Sequence, residues 1–265
     1  MVEFSNIHVN NTANLKISNS FRTPKYHLKQ LKKRKCGGIS LIIEKIERPS
    51  KDIINELAKF PTALLSDAME KSQAMHSEIK PVISIDKIIG PAITARTMVA
   101  DYLTPVAAID YAEPGDVLVI DVRGHRDTAI WGELASTSCK SRGIAAVIID
   151  GAIRDVAGIN EIQFPVFARA VTPNAGDCSV LGDINIPIQC GGVLVNPGDI
   201  VVADPDGVVI VPANRAIQVL EKVKKQEKIE EKIRQLMSQG LSCYEALKDV
   251  CGGFTITVGK DVEIP

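Results

Sequence analysis

The sequence predicts an α/β domain with a mixed β core and a long C-terminal helix, on three observations. The composition is 45% apolar but only 4% aromatic, so the core is built mostly from aliphatic side chains. The run IAAVIID (144–150) is continuously apolar and rich in Ile, as a strand covered on both faces must be. A turn and strand, PGDVLVIDVRG (114–124), recurs as PGDIVVADPDG (197–207). The matching segment is too short for a repeat architecture, and it marks two similarly built strands entering one sheet from equivalent turns.

The elements follow in order from about Ile39. Ser50 caps a helix running to about Lys59, and Pro61-Thr62 restarts a short one through TALLSDAMEK. Ile83–Ile89 and Ala92–Val99 read as strands punctuated by Gly90-Pro91. Thr104–Ala112 reads as helical. After the strand of the first PGD copy comes a helix near Thr128–Arg142, then the IAAVIID strand. Phe164–Ala168 is a further buried strand, and Asn185–Asn196 a β segment broken by Pro187 and Gly191-Gly192. Val208–Val211 completes the β part. Ala213–Gln239 is one charged helix, roughly 40 Å long at 1.5 Å per residue. Its apolar positions are sparse, so it either lies solvated along its own domain or projects onto a neighbouring subunit. Gly240 ends it.

Charge is unevenly distributed. From Phe4 to Ile43 there is no acid, while Lys16, Arg22, Lys25, Lys29, Lys32, Lys33, Arg34 and Lys35 supply eight positive charges. With Glu3, residues 1–43 carry +7 and residues 44–265 carry −8, against a net charge of −1. Such a segment reads as a solvated extension, an organelle transit peptide or a nucleic-acid arm. The organisation is therefore a basic extension (1–38), a main domain (39–240) and a tail (241–265). No apolar run is long enough to span a membrane. The six cysteines form no CxxC pair, which points to free thiols in a reducing cytoplasm.

The chemistry concentrates in WGELASTSCKSRGIAAVIIDGAIRD (131–155). Twenty residues separate Glu133 from Arg154-Asp155. Helix, Gly turn, strand and a Gly-containing loop would bring both ends of this segment to one place. The first turn of the helix offers free N–H groups to a carboxylate, and Gly132 lets backbone approach closely. Arg154 offers a planar fork for a carbonyl or carboxylate, and Asp155 a ligand for a hard cation. Mg²⁺ needs only one or two protein carboxylates, so Glu133 can act through water. Together they suit a 2-oxo acid held by its carboxylate and carbonyl. Taken singly, each has a structural reading: a surface ion pair for Arg154-Asp155, a dipole-favoured acid for Glu133. Asp67 lines a cleft or caps a helix, and His125 relays protons or is merely solvated. Asp121 is a supporting partner or a turn former, and Asp204 and Asp206 shape a DPDG turn.

From about Ile46 to Gly240 the chain resembles the family joining 4-hydroxy-4-methyl-2-oxoglutarate aldolases with the regulator of ribonuclease activity A (RraA). The matching pieces are TALLSDAM (62–69), GPAITAR (90–96), PGDVLVID (114–121), GELAS (132–136), RGIAAVIIDGAIRD (142–155), FPVFAR (164–169) and PGDIVVADPDGVVIVP (197–212). The resemblance implies a three-layer swivelling β/β/α domain. It implies a divalent-metal-dependent lyase that cleaves 4-hydroxy-2-oxo acids to pyruvate and decarboxylates oxaloacetate. Mg²⁺, Mn²⁺ or another divalent cation would bind Asp155 directly and Glu133 through water. Arg154 would hold the substrate carbonyl, and the backbone of Gly132, Glu133, Leu134 and Ala135 its carboxylate. The ribonuclease-inhibitor branch lacks the acid that stands here as Glu133, which points to the enzyme branch. The alternative is a non-catalytic regulator binding a ribonuclease or RNA helicase. Family members form trimers or paired trimers with sites between subunits, and Glu227, Glu230 or Glu231 could reach a neighbour's site. Neither a membrane nor nucleic acid is expected as a partner. A methyltransferase reading finds no Gly-rich strand–helix loop to support it.

Overall fold

The computed structural model describes residues 28–33 and 39–252. Most of the basic segment, Cys36 and the end of the tail lie outside the described residues. Twelve strands and seven α-helices follow in chain order: β1 (Leu28–Lys33), β2 (Ile39–Ile43), α1 (Lys51–Leu57), α2 (Thr62–Ala68), β3 (Lys80–Pro81), β4 (Ile88–Arg96), α3 (Leu103–Ala108), β5 (Val117–Ala129), α4 (Glu133–Ser141), β6 (Ala146–Ile153), α5 (Val156–Ile162), β7 (Val166–Val171), β8 (Asp183–Ile184), β9 (Ile188–Cys190), β10 (Val193–Val195), β11 (Ile200–Asp204), β12 (Gly207–Val211), α6 (Ala216–Ser238) and α7 (Cys243–Cys251). Among the described residues, no helix is long and apolar enough to cross a membrane.

The centre is the parallel run β4-β5-β6-β7, extended by antiparallel neighbours into a mixed sheet. Alternate side chains divide the core. Leu118, Ile120, Val147 and Ile149 face α3, α4 and α5 on one side. Val117, Val119, Ala146 and Ile148 face a second β layer of β9–β12 on the other. That layer alternates in turn: Val201 and Ala203 point inward, while Ile200 and Val202 meet Leu57, Leu65, Met69, Val219 and Val223 from α1, α2 and α6. The expected α, β and β layers are present, and a further helical cover lies outside them. The mixed α/β class and the long C-terminal helix agree with the sequence reading.

The two PGD copies do build equivalent turns. Asp116 Oδ2 accepts from the backbone N–H of Glu113 at 2.7 Å, and Asp199 Oδ2 from that of Asn196 at 2.8 Å. Each Asp is buried and has a second partner: the Arg48 guanidinium for Asp116, the Ala213 N–H for Asp199. Both strands flank β4. Ser50 caps α1, and Asp204 and Gly207 close the β11–β12 hairpin as the DPDG reading expects.

Several boundaries differ from the sequence reading. Ile83–Lys87 is not a strand, and Gly90-Pro91 lies inside β4 rather than between strands. At this dipeptide β4 changes partner: Ile88–Pro91 pairs with β11, and Ala92–Arg96 with β5. A Cβ on Gly90 would overlap the Gly115 carbonyl oxygen, which is backbone and cannot yield cheaply. Gly90→Ala is therefore expected to destabilise the fold by about 1–3 kcal/mol, read as a lower denaturant midpoint; an unchanged midpoint would show that β4 is not pressed at this crossover. The first PGD strand continues past Gly124 to Ala129, so His125 and Asp127 lie in β5, and α4 starts five residues later than expected. Leu28–Lys33, from the basic segment, pairs antiparallel with β2. In the tail, Ser242 and Glu245 form a capping box that starts α7 against the end of α6.

Candidate active site

The site lies where α4 begins and β6 ends. Arg154 N–H donates to the Trp131 carbonyl at 3.0 Å, and Ile130 N–H to that of Ala152 at 3.1 Å. These bonds tie the entry to α4 onto the strand end. Trp131 is buried, its Nε1–H donating to Ser136 Oγ at 2.9 Å, and Ser136 Oγ donates to the Gly132 carbonyl at 2.9 Å. The entry to α4 is thus tied down by its own side chains, and the leading N–H groups of the helix have no partner within it.

Asp155 follows β6 in the left-handed region, φ 59° and ψ 37°, uncommon for a non-glycine residue. It sits at the N-cap position of α5 but makes no side-chain cap there. Its Oδ2 lies instead 3.5 Å from the Glu133 N–H and 3.4 Å from Arg154 Nε. The carboxylate is thereby turned away from the usual helix-capping role and toward Gly132 and Arg154. Gly132 leaves the space this requires. Its φ of −163° is ordinary extended backbone, so it is not the glycine's conformational freedom that matters. A Cβ there would overlap Asp155 Oδ2. Gly132→Ala is accordingly expected to displace the Asp155 carboxylate and cut activity by about tenfold to a hundredfold while the fold persists; unchanged turnover would show that the close approach is not needed.

A cavity of about 330 Å³ opens beside these groups, lined by Gly132, Leu134, Ala135, Arg154 and Asp155 together with Tyr102, Val106 and Ile109 from α3 and its flanks. Every predicted site residue except Glu133 lines it. Glu133 stands at its edge: its stem lies over α5, where a Cβ on Gly158 would come within 2.7 Å of its Cγ, and its Oε1 accepts from Thr137 Oγ1 at 2.8 Å. Arg154 and Asp155 are about half exposed, with side-chain accessibilities of 44% and 45%. Their mutual contact therefore contributes little stability.

Could these groups hold a cation? Asp155 is within reach of solvent, and its nearest cation is the adjacent Arg154. Among the described residues there is no group of three or more His, Cys, Asp or Glu side chains placed to hold a metal ion. A hard ion that keeps most of its water, as Mg²⁺ does, needs only one or two protein carboxylates, and Asp155 lines this cavity. The donor set fits such an ion, with Asp155 as ligand and Glu133 nearby.

Other predicted polar residues lie elsewhere. Asp67 is exposed on α2. Asp121 is a turn former: its Oδ1 accepts from the Arg123 N–H at 2.8 Å, and burial raises its pKa, with the Asp150 charge adding to this. Asp204 accepts from the Thr62 N–H and Oγ1 and shapes its hairpin. Glu230 and Glu231 pair with Arg234 along α6, and neither they nor Glu227 line the cavity. Burial pushes the Cys139 thiol up to about 12 and Cys190 well above the usual range, which suits small core residues rather than nucleophiles.

Sequence reasoning missed the α3 side of the cavity. Buried Asp101 organises it: its Oδ1 accepts from Leu103 N–H and its Oδ2 from Ser179 and Val180 N–H, at 2.8–2.9 Å. Ser179 and Val180 are 78 and 79 residues away along the chain, so no local pattern points to them.

The chain is similar to known proteins over most of its length. It is 37% identical over 195 residues to a protein of Halalkalibacterium halodurans provisionally named a 4-hydroxy-4-methyl-2-oxoglutarate aldolase, covering 74% of this chain and 93% of that one. It is 38% identical over 200 residues to an uncharacterised protein of Methanocaldococcus jannaschii, covering 74% and 92%. The crystal structure of Streptomyces coelicolor RraAS2, described as an unusual member of the RNase ES inhibitor RraA protein family, superimposes with a TM-score of 0.65 at 30% identity, covering 72% of this chain and 99% of that one. The RraA-like model, described as Aldolase/RraA, matches residues 62–210, and the chain belongs to that family.

Proposed function

We propose that the protein is a divalent-metal-dependent lyase that cleaves 4-hydroxy-2-oxo acids, such as 4-hydroxy-4-methyl-2-oxoglutarate, to pyruvate and a second carbonyl compound, and that also decarboxylates oxaloacetate. The observation that carries the reading is the left-handed Asp155, its carboxylate against Gly132 and Arg154 at the mouth of one cavity. When bound at Asp155, a cation such as Mg²⁺ or Mn²⁺ would supply Lewis acidity to the 2-oxo group. Free N–H groups in the first turn of α4, with the positive end of its dipole, receive the substrate carboxylate. Arg154 donates to the 2-oxo oxygen as negative charge gathers there. A water takes the proton of the C4 hydroxyl, the C3–C4 bond breaks, and its electron pair passes into the pyruvate enolate. Glu133 holds the water that returns a proton to C3. Loss of CO₂ from oxaloacetate leaves the same enolate, so one site serves both reactions.

The test is pyruvate release by the purified full chain from 4-hydroxy-4-methyl-2-oxoglutarate or oxaloacetate with Mg²⁺. Release that disappears with chelation and returns with added metal supports the lyase. No release from either acid favours the second reading, a regulator that binds a ribonuclease or RNA helicase, which the likeness to an RNase ES inhibitor family member motivates. The same proposal includes trimers or paired trimers with sites between subunits, measurable by light scattering. Leu134 and Val106, exposed at the cavity rim, are consistent with a neighbour at that edge.

A further inference from the structure

The groups assigned so far come from the start of α4 and the end of β6, but the cavity has a second wall. β4, β5 and β6 are parallel, so α3 and α4, which follow β4 and β5, both begin at the edge of the sheet where β6 ends. The start of α3 therefore stands beside Gly132 and Asp155 and brings Tyr102 to the same cavity. Farther along, Arg142 binds Asp110 and the Ile109 carbonyl, which ties the far ends of the two helices together. Tyr102 is fixed from both sides. Its backbone N–H donates to the Asp177 carbonyl at 2.9 Å, and its neighbour Asp101, itself buried, accepts from the N–H groups of Leu103, Ser179 and Val180. The ring is partly buried against the apolar core, inside the rim that Val106 and Leu134 form. What such a side chain offers the cavity is one O–H.

We infer that Tyr102 is the residue that recognises the far half of the substrate: its hydroxyl donates to an oxygen beyond C3, either the C4 hydroxyl or the carboxylate attached to C4. This deepens the proposed function and rests on the 2-oxo acid head binding at Arg154 and Asp155. With the head on the start of α4 and the end of β6, the rest of the molecule extends along the cavity toward the α3 wall. A hydroxyl donates to an alcohol or a carboxylate alike, so one tyrosine serves the dicarboxylic oxo acids of the proposed reaction. The bonds that pin Tyr102 from both sides keep this donor in place before substrate arrives.

Pyruvate and 2-oxoglutarate share the head and differ in the far carboxylate. Each is titrated calorimetrically with Mg²⁺ into the intact full chain and into Tyr102→Phe, which keeps the ring and removes only the hydroxyl. Any group that a neighbouring subunit contributes is then present in every arm. The expected result is binding of 2-oxoglutarate weakened about tenfold or more in Tyr102→Phe, with pyruvate binding unchanged. Ser138, on α4, bears the other hydroxyl among the described residues that line the cavity, and Ser138→Ala should alter neither titration. Equal weakening of both acids in Tyr102→Phe would mean that the residue shapes the cavity as a whole, and no weakening of either that its hydroxyl is not engaged. A loss specific to 2-oxoglutarate in Ser138→Ala alone would put the far end on α4. Each of these three results overturns the assignment while leaving the oxo acid reading intact. If the unaltered protein binds neither acid, the head-group reading itself fails, and the assignment falls with it.

Discussion

Asp155→Ala is expected to abolish metal-dependent pyruvate release, by about a thousandfold or more, because it removes the only carboxylate among the described residues that line the cavity. The residue's left-handed backbone complicates a simple alanine experiment, since Ala is strained where φ is 59°. Asp155→Asn is the cleaner variant. Asparagine tolerates that conformation and keeps the shape while losing the charge. Both variants should lose activity to a similar degree, but only Asp155→Ala should lower the denaturant midpoint. Loss of activity in Asp155→Ala alone, with Asp155→Asn near normal, would mean that backbone strain and not the carboxylate was responsible. Release that survives in both would remove the metal role altogether.

Arg154→Lys should lower kcat by about a hundredfold to a thousandfold. The shortest approach of the guanidinium to Asp155 is from Nε, at 3.4 Å, and its terminal nitrogens line the cavity side of the pair. Those nitrogens form a fork that a lysine, a single point charge, cannot reproduce. Because the fork meets charge that grows as the bond breaks, the loss should fall on kcat more than on KM. Stability should barely change, since the ion pair is half exposed. Near-normal turnover in Arg154→Lys would assign Arg154 to structure alone.

The features that were legible in the sequence are those set by local rules. An unbroken apolar run identified β6, which parallel neighbours on both edges and layers on both faces enclose. Ser50, Pro61 and Gly240 marked helix ends, because orphaned backbone groups at those ends select the same few residue types everywhere. The repeated Pro-Gly-Asp gave two turns with the same side-chain to backbone bond. The span from Glu133 to Asp155 was long enough for one helix and one returning strand, so the meeting of its ends could be anticipated from length alone.

What could not be read depends on partners distant in the chain. Gly90-Pro91 reads locally as a break, yet β4 runs through it because β11 and β5 take up opposite halves of the strand. β5 outlasts its expected end because β6 continues to pair with it beyond Gly124. The cavity wall from α3 is held by Asp101 through a loop nearly eighty residues downstream. Glu133 stands at the cavity's edge, where its Oε1 accepts from Thr137 one turn along its own helix.

By itself, then, the sequence determined the α/β class, the principal strands and caps, and the pairing of a helix start with a strand end at Gly132 and Asp155. Only the tertiary structure decided that Gly132 is required for space rather than for its φ, that Asp155 is held left-handed, and that an apolar wall completes the cavity. The physical reason is one of range. Periodicity and capping act within a few residues, whereas the shape of a cavity is set by where separate segments come to rest against one another.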